Sequence, residues 1–567
     1  MLGVITPDVA SVVAKLLHSD LLAFAEAIRR LTSSAFAWDA EADALVFDLS
    51  GDVASVADVD TIAWSVPGGI PASDVNRCFF LSFVEQATLL NGRPSEDLVR
   101  LDAYVSRLAR AAPLGEGKLT IPWHALSAAR RLVNVVAGLS AILGRGPNLA
   151  SRPEIGRLVA HIALLRAVVA EIREDDLGYN HFASEVFAQC VADRLFDDGS
   201  ALIRHAAEFA ATMTAQVGAD GMQLERSATY QCHMLGHLDA LIAGRVLPEP
   251  YHSAIGQLAE AMRPALALMT HGDGGIAVFN DAAVGDGPSP AALSAVRTTW
   301  SEGVHRLPEA GYARLEHGAL SVIFDAGPCG PDDNPGHAHA DFLSVELDID
   351  GLRFFVDPGV ASYKAGPERD TCRSAASHNG PTFPGIEPIE FIGPFRVGRR
   401  GRGRFLGEGE ASTLSKIARG VGGTHDGFDR HGGRVARWLA PSGDDGLLIV
   451  DVWLGLAERV ARSMFLVDAR SWRVETERET EIVLTAEGGD RVIVSTILGR
   501  LRTEEGGSFH LYGPKKAFPA LRIVVEPTTN EGDARRIAMS ICRGRSTVID
   551  RDFAGRISDA LLAEISS

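Results

Sequence analysis

The chain reads as a multidomain α+β protein in which a helical N-terminal half is followed by an antiparallel β-sandwich. Three observations predict this. The 567 residues exceed what one ordinary core accommodates. The hydrophobic period changes from helical to strand-like after about residue 300. A Gly- and Pro-rich stretch, Val284–Pro290, lies close to that change. The expected domains are therefore 1–290, helical, and 300–567, sandwich. With 46% hydrophobic and 23% charged residues, the chain has globular composition and enough apolar side chains for large cores.

In the first half, apolar residues recur at three- and four-residue spacing over 10–31, 79–90, 98–111, 123–143, 155–172, 181–196, 202–217, 225–242 and 251–269. Many of these segments are apolar over broad faces, which suits helices packed in layers. A ring of paired helices produces such a pattern without a strict sequence repeat. In the second half, Leu343–Ile349 alternates as a strand, Asp350-Gly351 fits a type I′ turn, and Arg353–Val356 returns. Short strands are expected again at 446–453, 481–486, 491–497 and 521–526, with no long helix between them.

A formal net charge of −18 argues against a nucleic-acid partner, whose phosphates require a basic face. It leaves room for an acidic substrate, because a site can be locally positive inside a negative molecule. The six scattered cysteines include no C-x-x-C pair and are compatible with free thiols. No run of some 18 to 20 apolar residues suggests a membrane span. The N-terminus lacks the basic start and continuous apolar stretch of an export signal. A cytoplasmic protein is expected, or a periplasmic one if a leader is missing; a homo-oligomer is compatible with the sequence.

The densest chemical signal is Gly336-His337-Ala338-His339-Ala340-Asp341, followed by Asp357 and then His378. On an extended segment His337, His339 and Asp341 share one side, and the Asp350-Gly351 hairpin returns Asp357 toward them. Two imidazoles and a carboxylate are a normal zinc ligand set that leaves a position open. The competing reading is a solvated polar strand face, with His378 capping a turn.

These strings, HAHAD, then DGLRFFVDPG, then RSAASHN, resemble the C-terminal region of heparinase II/III-like polysaccharide lyases, a family that includes heparinases and alginate lyases. Gly178-Tyr179-Asn180-His181 looks like its N-H motif, and Asp220–Tyr230 like its D-G-x-x-x-E-x-S-x-x-Y motif. Departures are Gln231, where the family often has His, and Gly380, where it usually has Thr. The resemblance implies an incomplete α/α toroid joined to an antiparallel β-sandwich. It also implies β-elimination on a uronic-acid glycan, with an acidic oligo- or polysaccharide as partner.

Under that resemblance Asn180 and His181 bind and neutralise the substrate carboxylate, although Asn180 also suits a helix N-cap. Tyr230 donates a proton to the leaving oxygen and is also a base candidate, provided nearby positive charge lowers a pKa that is ordinarily near 10. His337 neutralises the carboxylate or acts as base. His339, Asp357 and His378 hold a zinc ion that supports the site floor. Tyr363 is a second base candidate, and Arg373 either binds an acidic group or pairs with a carboxylate. Trp123 and Glu225 are further substrate-binding candidates, Trp123 being equally at home in packing.

Two other functions stay open. A glycoside hydrolase would use a carboxylate pair such as Glu225 and Asp341. A non-catalytic carbohydrate-binding or biosynthesis-accessory protein would keep the fold alone. If the protein is cytoplasmic, short imported oligosaccharides are the expected substrates.

Overall fold

Helical periodicity becomes helix through most of the first half. The computed structural model describes residues 7–32, 36–39, 41, 44–47, 53–55, 88–111, 114, 123–196, 198–297, 299–407, 412–511, 517–544 and 550–566. The long helices are α1 (Val9–Leu16), α2 (Ser19–Thr32), α3 (Pro94–Ala111), α4 (Ala125–Arg145), α5 (Pro153–Glu171), α6 (Tyr179–Phe196), α7 (Gly199–Ala215), α8 (Ala228–Ala243) and α9 (Tyr251–Leu268). The helix expected over 79–90 falls mostly outside the described residues, as does Cys78. The single helix expected over 10–31 is two, because the chain turns at Leu17-His18 and His18 Nδ1 accepts from the Asp20 amide.

Two layers result. Helices α4, α6 and α8 are buried around most of their circumference, while α5, α7 and α9 pack outside them. This is the expected incomplete α/α toroid of paired helices. The length and apolarity of α4 would suit a membrane span, but 89% of its apolar window is buried among other helices. A small antiparallel sheet of Phe36–Asp39, Ala44–Phe47 and Val53–Ser55 was not anticipated, because each strand is too short to establish a period.

Among the described residues, the strands between 303 and 543 form two antiparallel nine-stranded sheets. Leu347, Phe355, Trp453, Phe465 and Ile541 belong to the core between them. Strand Gly446–Leu454 is apolar almost throughout because both its faces are covered: one meets the sandwich core, the other the C-terminal helix Arg551–Ser566. That helix corrects the all-strand expectation for this half. Its buried Ala554, Ile557, Leu561 and Ile565 follow helical spacing.

The two halves meet through buried charge. Strand Val345–Ile349 and strand Leu352–Phe355 form the predicted hairpin, with Asp350 and Gly351 at φ of 50° and 77°, as a type I′ turn requires. Val345, Leu347 and Ile349 enter the sandwich core, whereas Glu346 and Asp348 face the helical half. There His271 is fully buried between them, 3.0 Å from Glu346 and 2.8 Å from Asp348. Arg353 adds bonds to Glu346 and Asp273. The Val284–Pro290 segment is packed rather than solvated, and its Val284 amide donates to His510 O at 2.7 Å.

Desolvation opposes the His271 charge, but Asp348 and Glu346 outweigh it and raise its pKa above the ordinary 6.5. Its stabilising contribution is therefore complete below about pH 6.5 and is lost as pH rises through the folded-state value. We expect His271→Gln to cost about 3 kcal/mol at pH 6, with the gap to wild type narrowing toward pH 9. Urea unfolding at several pH values checks this, and a pH-independent gap would refute it.

Candidate active site

Loop chemistry at the end of the toroid sets the site's floor. Asp281, fully buried, accepts from His337 Nδ1 and His339 Nε2 at 2.8 Å each. Arg369 grips both of its oxygens, one at 2.8 Å from Nη2. Burial by itself would raise the Asp281 carboxyl, yet Arg369 and the two imidazoles hold it well below the usual range. An ionised carboxylate only accepts, so Nδ1 of His337 and Nε2 of His339 carry protons. The other ring nitrogen of His337, Nε2, lies 3.5 Å from Glu225 Oε1. His337 and His339 do point to one side, as expected, and Asp341 follows by accepting from the Asn280 amide at 2.8 Å.

Above this floor the two halves contribute facing groups. Tyr230, near the start of α8, lies with its ring centroid 4.3 Å from that of His337. Its hydroxyl is 3.2 Å from that of Tyr363. Both phenols are buried, and desolvation followed by neighbouring negative or phenolic charge pushes their pKa well above 10. Tyr230 therefore rests as an acid. Asn180 Nδ2 donates to both Glu225 oxygens at 2.9 and 3.1 Å and lies 3.5 Å from His337 Nε2. Asn180 lies within α6 and is not its cap.

The D-G-x-x-x-E-x-S-x-x-Y segment builds this arrangement. Asp220 accepts from the amides of Glu309 and Ala310 at 2.9 Å, tying the loop to the sandwich. Gly221 at φ 83° has no room for a Cβ, which would meet Ala261 O at 2.1 Å. Glu225 fixes Asn180, and Ser227 caps the helix that carries Tyr230. The two departures from the family pattern are structural: Gln231 bonds buried backbone at Gln223, Gly221 and Met262, and a Cβ at Gly380 would meet Phe342 O at 2.8 Å.

Several expected site residues serve elsewhere. His181 binds Glu174 at 2.8 Å and lies against His124; no contact joins it to Tyr230 or His337. Arg373 is buried and unpaired with any carboxylate: it donates to the carbonyls of Ala338, Gly393 and Pro394. Burial and the nearby Arg369 push its pKa down to about 10. Trp123 is 2% exposed and packs near His161 and Arg131. Glu225 is equally buried, holds Asn180 and Gln223, and lies 3.5 Å from His337 Nε2. Asp281 and Arg369 were missed because neither lies in the histidine-rich string; Phe279-Asn280-Asp281 carries no signal of its own.

The expected metal ligands assemble in part. His339 Nδ1 and His378 Nε2 are buried without a hydrogen-bond partner, and their rings are 5.4 Å apart. The other nitrogen of each ring is held by a carboxylate, Asp281 for His339 and Asp357 for His378. Such carboxylate–histidine pairs present a lone pair to a cation. Asp357, however, is the 2.8 Å partner of His378 Nδ1 rather than a third converging donor. Among the described residues no three His, Cys, Asp or Glu side chains form a metal-holding group.

Residues 300–540 match the family model described as Heparinase II/III-like, C-terminal. A solved Heparinase III superposes with a TM-score of 0.66 at 16% identity, covering 94% of this chain and 86% of that one. A heparan sulfate lyase HepC mutant from Pedobacter heparinus gives 0.57 at 16% identity, covering 88% and 80%. At these identities the likeness is one of fold. Comparison with curated proteins gives no match.

Replacing Asp281 by Asn leaves Arg369 without its buried counter-charge. We expect a loss of about 3–5 kcal/mol in urea unfolding, together with loss of the Nδ1-protonated His337 tautomer in nitrogen NMR. Unchanged stability and tautomer would show that Asp281 is not the anchor of the site.

Proposed function

We propose that this chain, whose residues 300–540 form a Heparinase II/III-like domain, is a polysaccharide lyase that cleaves a uronic-acid glycan by β-elimination. One observation carries the reading: a buried, protonated tyrosine from the helical half packs against a tautomer-fixed histidine from the sandwich half. Elimination requires an acid and a base close together on one sugar, with a donor for the carboxylate.

In this reading His337 Nε2 removes the C5 proton. The C4–O4 bond breaks, Tyr230 protonates the departing O4, and a C4–C5 double bond remains in the product. Asn180, held by Glu225, supplies an amide proton to the uronate carboxylate as it gains enolate character. Between turnovers the proton taken up by His337 returns to the Tyr230 phenolate, which the Tyr363 hydroxyl stabilises by a hydrogen bond. A zinc ion on His339 Nδ1 and His378 Nε2 would supply positive charge and rigidity to the floor; the unpartnered nitrogens support this part of the proposal.

A hydrolase reading finds less support. Its carboxylate pair would be Glu225 and Asp341, and both are buried and committed to neighbouring donors.

Incubation with heparan sulfate, chondroitin, alginate and oligosaccharides of each should raise ultraviolet absorbance from unsaturated uronate. Tyr230→Phe should lower that rate by about 10²–10⁴-fold. Reducing ends without absorbance would establish a hydrolase, and binding without either would establish an accessory protein. For the metal, elemental analysis after zinc loading should find bound zinc in wild type and lose it in His378→Ala. Zinc-free wild type would remove the metal from the reading.

A further inference from the structure

Beside the proton-transfer group, residues 390–399 form a tight hairpin. Glu390 and Arg399 pair backbone to backbone, Phe391 bridges Val397, and the Ile392 amide donates to Arg396 O at 3.0 Å. Its tip is anchored from beneath. The Pro394 carbonyl accepts from Arg369 and Arg373, both buried, and Gly393 accepts from Arg373 at 2.8 Å. Two interior guanidiniums therefore fix a loop whose outer side faces solvent.

Phe395 on this tip is 40% exposed. Its ring lies parallel to that of Tyr363 at 6.0 Å and edge-on to His337 at 6.1 Å. The Arg369 guanidinium lies 5.6 Å from the Phe395 ring centroid, and the remaining exposure of the ring next to Tyr230 and His337 is not core packing. The chain leaving the hairpin then carries exposed Arg396, Arg399, Arg400, Arg402 and Arg404, in a protein whose net charge is −18. Three carboxylates lie close by. Asp332 pairs with Arg402 and Arg400, Asp426 accepts from the Arg402 amide, and Glu390 from the Arg399 amide. Among the described residues the side chains of Arg396 and Arg399 make no ion pair, so positive charge is left at the rim.

We propose that this hairpin is a second sugar subsite at the cleft rim, which binds an anionic unit of the glycan beyond the one being cut. The Phe395 face stacks on the pyranose ring, and Arg396 and Arg399 pair with its carboxylate or sulfate. This rests on the lyase reading and names what that reading leaves open: substrates extend over several acidic units, and the hairpin selects for them.

The test is fluorescence anisotropy with labelled heparan sulfate and alginate, each as disaccharide and octasaccharide, on the Tyr230→Phe background so that no chain is cut. Phe395→Ala and Arg396→Ala/Arg399→Ala should each weaken octasaccharide binding about five- to tenfold at low salt and leave disaccharide binding unchanged. The arginine effect should fade at high salt while the Phe395 effect persists. Loss with heparan sulfate alone assigns the pair to sulfate; loss with both assigns it to carboxylate. Arg473→Ala/Arg491→Ala, exposed on strands remote from strand Gly403–Leu406 in the sheet order, controls for bulk charge. Equal octasaccharide affinity in all variants, each shown folded by its melting temperature, would overturn the subsite. Hairpin-dependent binding in a wild type that forms no unsaturated product would overturn the lyase reading and leave the subsite standing.

Discussion

The arrangement depends on one buried carboxylate. Asp281 sits where the toroid chain ends, and it accepts from three side chains of the sandwich half at once: His337, His339 and Arg369. Placing a charge at full burial is costly unless it is paired and bonded. Here the pairing is nearly complete, and each bond does more than offset burial. It aligns the HAH segment, sets the protons on two imidazoles, and positions Arg369 to hold the Pro394 carbonyl at the hairpin tip. A single electrostatic requirement thus links the floor of the site to its rim.

The same logic recurs across the interface. Strand Val345–Ile349 shows the alternation of a half-solvated strand, but its polar face meets protein. Glu346 and Asp348 bind His271, the amides of Gly272 and Val278, and Arg353. Arg226 reaches Asp325 and Ala310 O from the helical side, beside the loop that carries Glu225. Polar contacts of this kind fix direction where apolar contact would not, because each bond has an angle as well as a distance. Tyr230 and His337 come from different halves, so their 4.3 Å ring separation requires such a directional interface.

Buried phenols and a tautomer-fixed imidazole form a chemically asymmetric pair. Desolvation keeps Tyr230 protonated, while the Asp281 bond fixes a proton on His337 Nδ1. The two groups are thereby set by environment rather than by residue type. Glu225 adds a third element: buried and bonded to Asn180, it sets the amide and lies 3.5 Å from His337 Nε2.

Much of this was legible in the residues themselves. Hydrophobic period determines helix or strand locally, so the helical half, the sheet half and the Asp350-Gly351 turn could be read directly. Density of unusual side chains marked His337 in the HAHAD string, whereas Asn180 and Tyr230 were marked only by the resemblance of their motifs to those of a known family. Period could not show the small N-terminal sheet, whose strands of three and four residues are too short to establish one, whereas the 16-residue C-terminal helix does carry helical spacing and was passed over in a half read as strand throughout. Nor could period decide which of several plausible polar residues face the cleft. Arg373, Trp123 and Glu225 have the right chemistry for sugar contact, yet burial assigns them to carbonyls, packing and Asn180. Asp281, Arg369 and the Phe395 hairpin had no local signature. Their roles arise only when segments some 55 to 90 residues apart meet, because a pKa, a tautomer or an exposed ring is a property of surroundings that the linear chain does not contain.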